Sequence, residues 1–362
     1  MLRGTLGAGA LLAARNSLAV VAPNGSVLAP AKTKVAKADK VWHLVAGPVQ
    51  HEIAPGLTIE AFGYNGRTPG PVLEATEGER VRIYVTNKLR EATSVHWHGL
   101  FVPNGMDGVG GLTQDPIAPG KTFKYEFVLD RAGTFMYHPH VDEMTQIALG
   151  MMGMIVVHPR APEKPRVRDY ALMLHEWKVP IGTRRADPLA MNDFNVLTMN
   201  GKSFPATDPL VAETGDLVRI RFGNLGPMDH HPIHLHGHHF EIVATDGGPI
   251  PVSARHPDTT VLVPVGSTRT IELIARPGDW PLHCHMTHHM MNQMGHDAAN
   301  LIGADVSGVD AKLGRVVPGY MTMGERGTGN MMQMPQPKNT ISMVGGKGPY
   351  GPIDLGGMFT LL

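Results

Sequence analysis

Four histidine-X-histidine pairs recur at corresponding places along this chain, at His96/His98, His138/His140, His234/His236 and His283/His285. Successive side chains of a strand alternate faces, so both imidazoles of each pair point to the same side. Eight neutral nitrogen donors, brought together, suit a cluster of borderline metal ions such as copper rather than a hard cation that prefers oxygen. The one cysteine, Cys284, lies between His283 and His285 and must face the other way. His231 precedes His234 by three residues, while His289 and Met294 follow Cys284 by five and ten. Two nitrogens, a thiolate and a weak thioether make the donor set that selects a blue-copper electron-transfer site.

A duplicated frame carries these pairs. PVLEATEGERVRIYVTN from Pro71 and PLVAETGDLVRIRFGN from Pro209 each place alternating apolar residues after a Gly turn, which is a strand pattern. HWHG at 96–99 and HLHG at 234–237 follow. Then come AGTFMYHPH and PGDWPLHCH, with five residues from Gly133 to His138 and from Gly278 to His283. Landmarks repeated in one order predict an all-β chain of two Greek-key β-sandwich domains, at 41–160 and 165–300, with the proline-rich PRAPEKPR at 159–166 between them. The length of 362 residues and the 43 Gly and 30 Pro that punctuate short apolar runs agree with two cores built of short strands. Pro139 takes the place of Cys284 in the first copy, so only the second domain can hold the thiolate site.

The ends read differently. Residues 1–40 open with Arg3, a small-residue apolar run over 4–14 and a cleavage-like Ser17-Leu18-Ala19, which resembles a secretory signal and points to a periplasmic or secreted protein. Residues 301–362 form an extension rich in Gly, Met and Pro where little regular structure is expected. Lys+Arg and Asp+Glu both number 32, which excludes a charge-driven nucleic-acid or anionic-membrane partner, and no apolar stretch reaches the ~20 residues of a membrane span. Methionines at 151, 152 and 154 fit either a strand core or Cu(I)-selecting thioethers, as do those at 321, 323, 331, 332 and 334 in the extension. His43, His51, His158 and His175 are assigned no role; His238, His239 and His288 adjoin the motifs as supporting or substrate-mouth groups.

HWHG, HPH, HPIHLHGHHF and HCHMTHHMMNQM together resemble the four copper motifs of the multicopper oxidases, the laccase family. The resemblance implies cupredoxin-like domains and four coppers per functional unit. It implies His231, Cys284, His289 and Met294 as type 1 ligands, and His96 and His234 as type 2 ligands. His98, His138 and His285 would bind one type 3 ion; His140, His236 and His283 would bind the other. Electrons from a small-molecule or cuprous-ion donor would enter at Cys284 and pass through the backbone to His283 or His285, for reduction of dioxygen to water. Asp107, in PNGMDGVGG, matches a laccase acidic residue near the type 2 copper and reads either as a proton relay or as a turn Asp before Gly108.

The chain departs from common laccases in lacking a middle spacer domain. Resemblance to two-domain laccases therefore implies a homotrimer with trinuclear clusters between subunits, closed head to tail. A copper nitrite reductase would carry its blue-copper cysteine in the first domain, where Pro139 stands. A copper store would need no cysteine between two cluster ligands, and a structural zinc protein would need far fewer ligands.

Overall fold

Alternation sets the strands. In β4 (Arg80–Asn87) the sequence RVRIYVTN buries every second residue, placing Val81, Ile83 and Val85 in the core and Arg82 and Tyr84 outside. The structure is a computed structural model that describes residues 38–161, 167–293, 337–343 and 345–362, with 312, 315 and 316 standing alone. The expected signal and most of the proline-rich linker lie outside the described residues. So do Met294 and the methionines at 321–334.

The first sandwich opposes two four-stranded sheets. One runs β2 (Leu57–Tyr64), β1 (Lys40–Ala54), β4 and β6 (Thr122–Val128). The other runs β3 (Leu73–Thr76), β8 (Gly153–His158), β7 (Gly133–His138) and β5 (His96–His98). Trp97, Tyr125, Phe127, Phe135 and Tyr137 fill the space between them.

The second sandwich repeats the plan. Its larger sheet runs β10 (Val196–Met199), β9 (Val167–Trp177), β11 (Leu217–Asn224), β17 (Ser267–Ile274), β13 (Phe240–Thr245) and β14 (Gly248–Pro249), with β15 (Pro257–Asp258) also on β13. The facing sheet runs β16 (Thr260–Val263), β12 (His231–Leu235), β18 (Pro281–Cys284) and β21 (Phe359–Leu361). A small hairpin, β19 (Lys347–Gly348) with β20 (Gly351–Pro352), precedes β21. β1 runs parallel to β4 as β9 does to β11. β5 meets β7 with His96 opposite His138, as β12 meets β18 with His234 opposite His283. The duplication therefore extends to strand register.

The end of the extension corrects the expectation of little regular structure. β21 lies beside β18 where β8 lies beside β7, and Leu362 exchanges two 2.8 Å backbone hydrogen bonds with Trp280. Met358 and Phe359 are buried, because the run MFTLL supplies the apolar strand that the second sandwich otherwise lacks at this edge. Two apolar seams tie the sandwiches together. Ile53, Leu57 and Ile59 pack with Trp177, Val179 and Val196; Met136, Met152 and Met154 pack with Met173 and Leu225. Met151, Met152 and Met154 are thus core side chains.

Candidate metal centres

Strand alternation divides the histidines and the cysteine of the second sandwich between two faces. On β12, His231, Ile233 and Leu235 are buried in the core while His234 takes the other face; on β18, Leu282 and Cys284 point inward. The short 3-10 turn Thr287–Met290 carries the chain back and returns His289 to the thiol. Cys284 Sγ lies 3.5 Å from His289 Nδ1 and 3.8 Å from His231 Nδ1, and the two Nδ1 atoms are 3.2 Å apart. The ring edges opposite face carboxylates: His231 Nε2 is 3.1 Å from Glu176 Oε2, and His289 Nε2 is 3.4 Å from Asp229 Oδ2. Protons on Nε2 leave Nδ1 lone pairs aimed with the sulfur at one point, an arrangement a soft or borderline cation resolves. Burial pushes the Cys284 thiol up to about 12, and the negative Asp229 and Glu176 push the same way. A thiolate here needs a metal to displace its proton.

Each sandwich also carries an imidazole quartet. In the first, the ring centroids of His96 lie 5.6, 5.4 and 5.6 Å from those of His98, His138 and His140, and His98 Nδ1 is 3.2 Å from His138 Nε2. In the second, His234 lies 4.8, 5.7 and 5.6 Å from His236, His283 and His285, and His236 Nε2 is 3.1 Å from His283 Nε2. Corresponding rings are oriented by corresponding bonds. His138 Nδ1–H donates to the Pro139 carbonyl and His283 Nδ1–H to that of Cys284, both at 2.9 Å. His96 and His234 donate from Nδ1 to the carbonyls of Asp107 and Thr259, at 2.8 and 2.7 Å. Each such bond fixes a tautomer that offers Nε2 to a ligand. Burial lowers His98, His236 and His283 and takes His138 down to about 3, so these rings stay neutral, as ligation requires.

Within one chain the quartets stand apart. Ring contacts run inside each quartet, and none joins one to the other among the described residues. The first opens into a cavity of about 620 Å³ shared with Glu143, Met144, Pro227 and Val265; His234 lines another of about 290 Å³ with His238, His239 and Arg276. Asp107 is half-buried with Oδ1 3.5 Å from His96 Nδ1, besides the carbonyl bond to the same nitrogen. The chain turns sharply after it at Gly108 (φ +89°), where a Cβ would meet the Val95 carbonyl.

Several side chains at the sites are not evident in the motifs. Glu143 stands 3.6 Å from His138 Nδ1 and 3.5 Å from His140 Nε2; its signal is a spacing of three from His140. Glu176 and Asp229 have no local signal beyond charge. His238 supports its neighbour: Nδ1–H donates to the His236 carbonyl, and Nε2 accepts the Arg276 N–H. His175 is a core residue whose Nδ1–H donates to the Leu225 carbonyl, and burial lowers it to about 4.

Paired β-sandwiches with imidazole quartets and a buried cysteine–histidine site define a copper-binding redox protein. Sequence profiles of the multicopper oxidases match residues 46–162 and 178–302. The blue copper oxidase of Nitrosomonas europaea is 32% identical and superposes with a TM-score of 0.65, covering 71% of this chain and 82% of that one. Laccase-1 of Botryotinia fuckeliana is 34% identical over 237 residues, which cover 61% of this chain and 40% of that protein. Copper resistance protein A of Pseudomonas syringae pv. tomato is 39% identical over 123 residues, 34% of this chain and 20% of that protein. The chain thus spans less than half the length of these two relatives. It belongs to the multicopper oxidases, in the laccase type, and copper is the metal of that family.

Proposed function

We propose that this chain is a multicopper oxidase that takes single electrons from a small phenolic or aromatic donor and delivers them to dioxygen, giving water. The carrying observation is the division of one strand: Cys284 faces His231 and His289, while His283 takes the opposite face with His234 and His236. A single backbone joins a buried sulfur site to an imidazole cluster. In this reading His231, Cys284 and His289, with Met294 beyond the described residues, hold the type 1 copper, and His96 and His234 the type 2. His98, His138 and His285 hold one type 3 copper; His140, His236 and His283 hold the other. Copper bound there supplies one-electron redox chemistry and a binding point for dioxygen. Asp107, 3.5 Å from His96, is the proton relay in this reading.

Separation of the quartets supports assembly as a homotrimer, in which the first sandwich of one copy meets the second of the next. The N-terminal apolar segment supports export to the periplasm or beyond. Copper-loaded protein should be blue, trimeric by light scattering, and should consume dioxygen with a phenol without releasing peroxide. Copper uptake with no donor-driven oxygen consumption would instead mark a copper store. A cuprous-ion donor is the second reading. A cavity of about 530 Å³ beside His289 is lined by Asp193, Asp229, His288 and Met286; Met286 is 41% exposed, and Met228, next to Asp229 in sequence, is 46% exposed. Thioethers select the soft Cu(I) ion, and a phenol has no need of them. Oxygen uptake faster with cuprous ion than with phenol, and reduced in Met286→Leu, would favour it.

A further inference from the structure

Glu176 reaches the cysteine–histidine site from β9, the strand behind it. Its side chain and that of His231 are both fully buried. One carboxylate oxygen accepts the backbone N–H groups of Met228 and Asp229, each at 2.7 Å. The other lies 3.1 Å from His231 Nε2, short of a well-aligned hydrogen bond, and neither atom has another hydrogen-bond partner. The glycine at 226 keeps this pair uncrowded, since a Cβ there would stand 2.5 Å from the same oxygen. Asp229, whose N–H Glu176 holds, in turn faces His289 Nε2 at 3.4 Å. A single buried carboxylate is therefore connected to both imidazoles whose Nδ1 atoms converge on Cys284.

We propose that Glu176 is a positioning residue for the thiol-bound metal: it accepts the Nε2–H of His231, directing Nδ1 to the ion, and sets Asp229 to do the same for His289. The proposal rests on the copper reading above. A carboxylate behind a ligating imidazole makes the ring a stronger donor and orients it. The higher charge of Cu(II) gains more from such a donor than Cu(I) does, so Glu176 lowers the reduction potential of this copper. In Glu176→Gln the carbonyl oxygen can still hold the two backbone N–H groups, but the amide NH₂ then faces a ring N–H. Two donors cannot pair unless the ring proton moves to Nδ1, where it blocks the metal.

The test compares full-length wild type, Glu176→Gln and Glu176→Asp after copper loading, by blue absorbance, copper retention against a chelator, and reduction potential. Glu176→Gln should retain the blue copper about 10- to 100-fold less well, with an upward shift in the potential of what remains. Glu176→Asp, which keeps the charge, should recover part of both. Copper held by the imidazole quartets should be unchanged. A blue wild type beside a Glu176→Gln variant of equal affinity and potential overturns the proposal alone. A wild type that takes up copper without turning blue overturns the copper reading as well. In the cuprous wild type, the His231 Nε2–H should appear by NMR as a slowly exchanging, strongly hydrogen-bonded proton. A fast-exchanging, weakly bonded one overturns the proposal whether or not the variants fold.

Discussion

The two sandwiches share one frame, yet only the second holds a thiol site. Their outward positions agree: His96 opposes His138 as His234 opposes His283. Their inward positions do not. By motif spacing, His231, Cys284 and His289 correspond to Thr93, Pro139 and Met144. Thr93 is buried and donates to Gln146 Oε1 at 2.7 Å, while Met144 is exposed on helix α1 (Glu143–Ala148), which replaces the turn Thr287–Met290. The comparison teaches that strand register carries the imidazole quartet, whereas three inward side chains and the turn after the second histidine pair decide whether a sandwich also holds a sulfur site.

Cys284→Ser breaks this distinction most severely. It should abolish blue absorbance and donor-driven oxygen uptake while the protein stays folded, because a serine of similar size fills the position. Phe359→Ala comes next. Its ring packs 4.6 Å from that of Phe204 on the strand that flanks β18, so the expected loss is about 3–5 kcal/mol, read by denaturant unfolding. An unaffected midpoint would mean that the C-terminal strand does not complete the second sandwich.

Acid should loosen the seam between the sandwiches. His175 is lowered by burial from 6.5 to about 4, so the unfolded chain binds its proton more readily than the folded one. Its contribution is complete above pH 6.5 and is lost as the pH falls through about 4, roughly 3 kcal/mol at ~1.4 kcal/mol per pKa unit. Melting temperature against pH should fall over that window in wild type and fall less in His175→Phe; equal slopes would remove His175 as the cause. The smallest effect tests the first sandwich. Thr93→Val leaves Gln146 short of one buried partner and should cost about 1–3 kcal/mol, with copper content and blue absorbance unchanged.

Much of this was legible because strand alternation is local. His-X-His fixes a shared face, and a cysteine between two histidines must take the other, whatever the rest of the chain does. Long-range packing was not legible. Glu176 and Asp229 approach the rings of His231 and His289 only because β9 pairs with β11 and the chain at 226–230 folds over it. The strand at Phe359–Leu361 was hidden by distance, since its counterpart at Gly153–His158 follows the first histidine pairs closely while it follows the second across the Gly- and Met-rich stretch. The seams at Trp177 and Met173 join residues distant in sequence, which periodicity does not encode.

Copper stoichiometry of Cys284→Ser against wild type tests the central claim most directly. If the inward cysteine holds its own ion and the outward imidazoles hold the rest, the variant should lose one of the family's four coppers per chain and keep the others. Equal copper content in the two proteins, or loss of every ion from the variant, would contradict the division of β18 into two metal-binding faces.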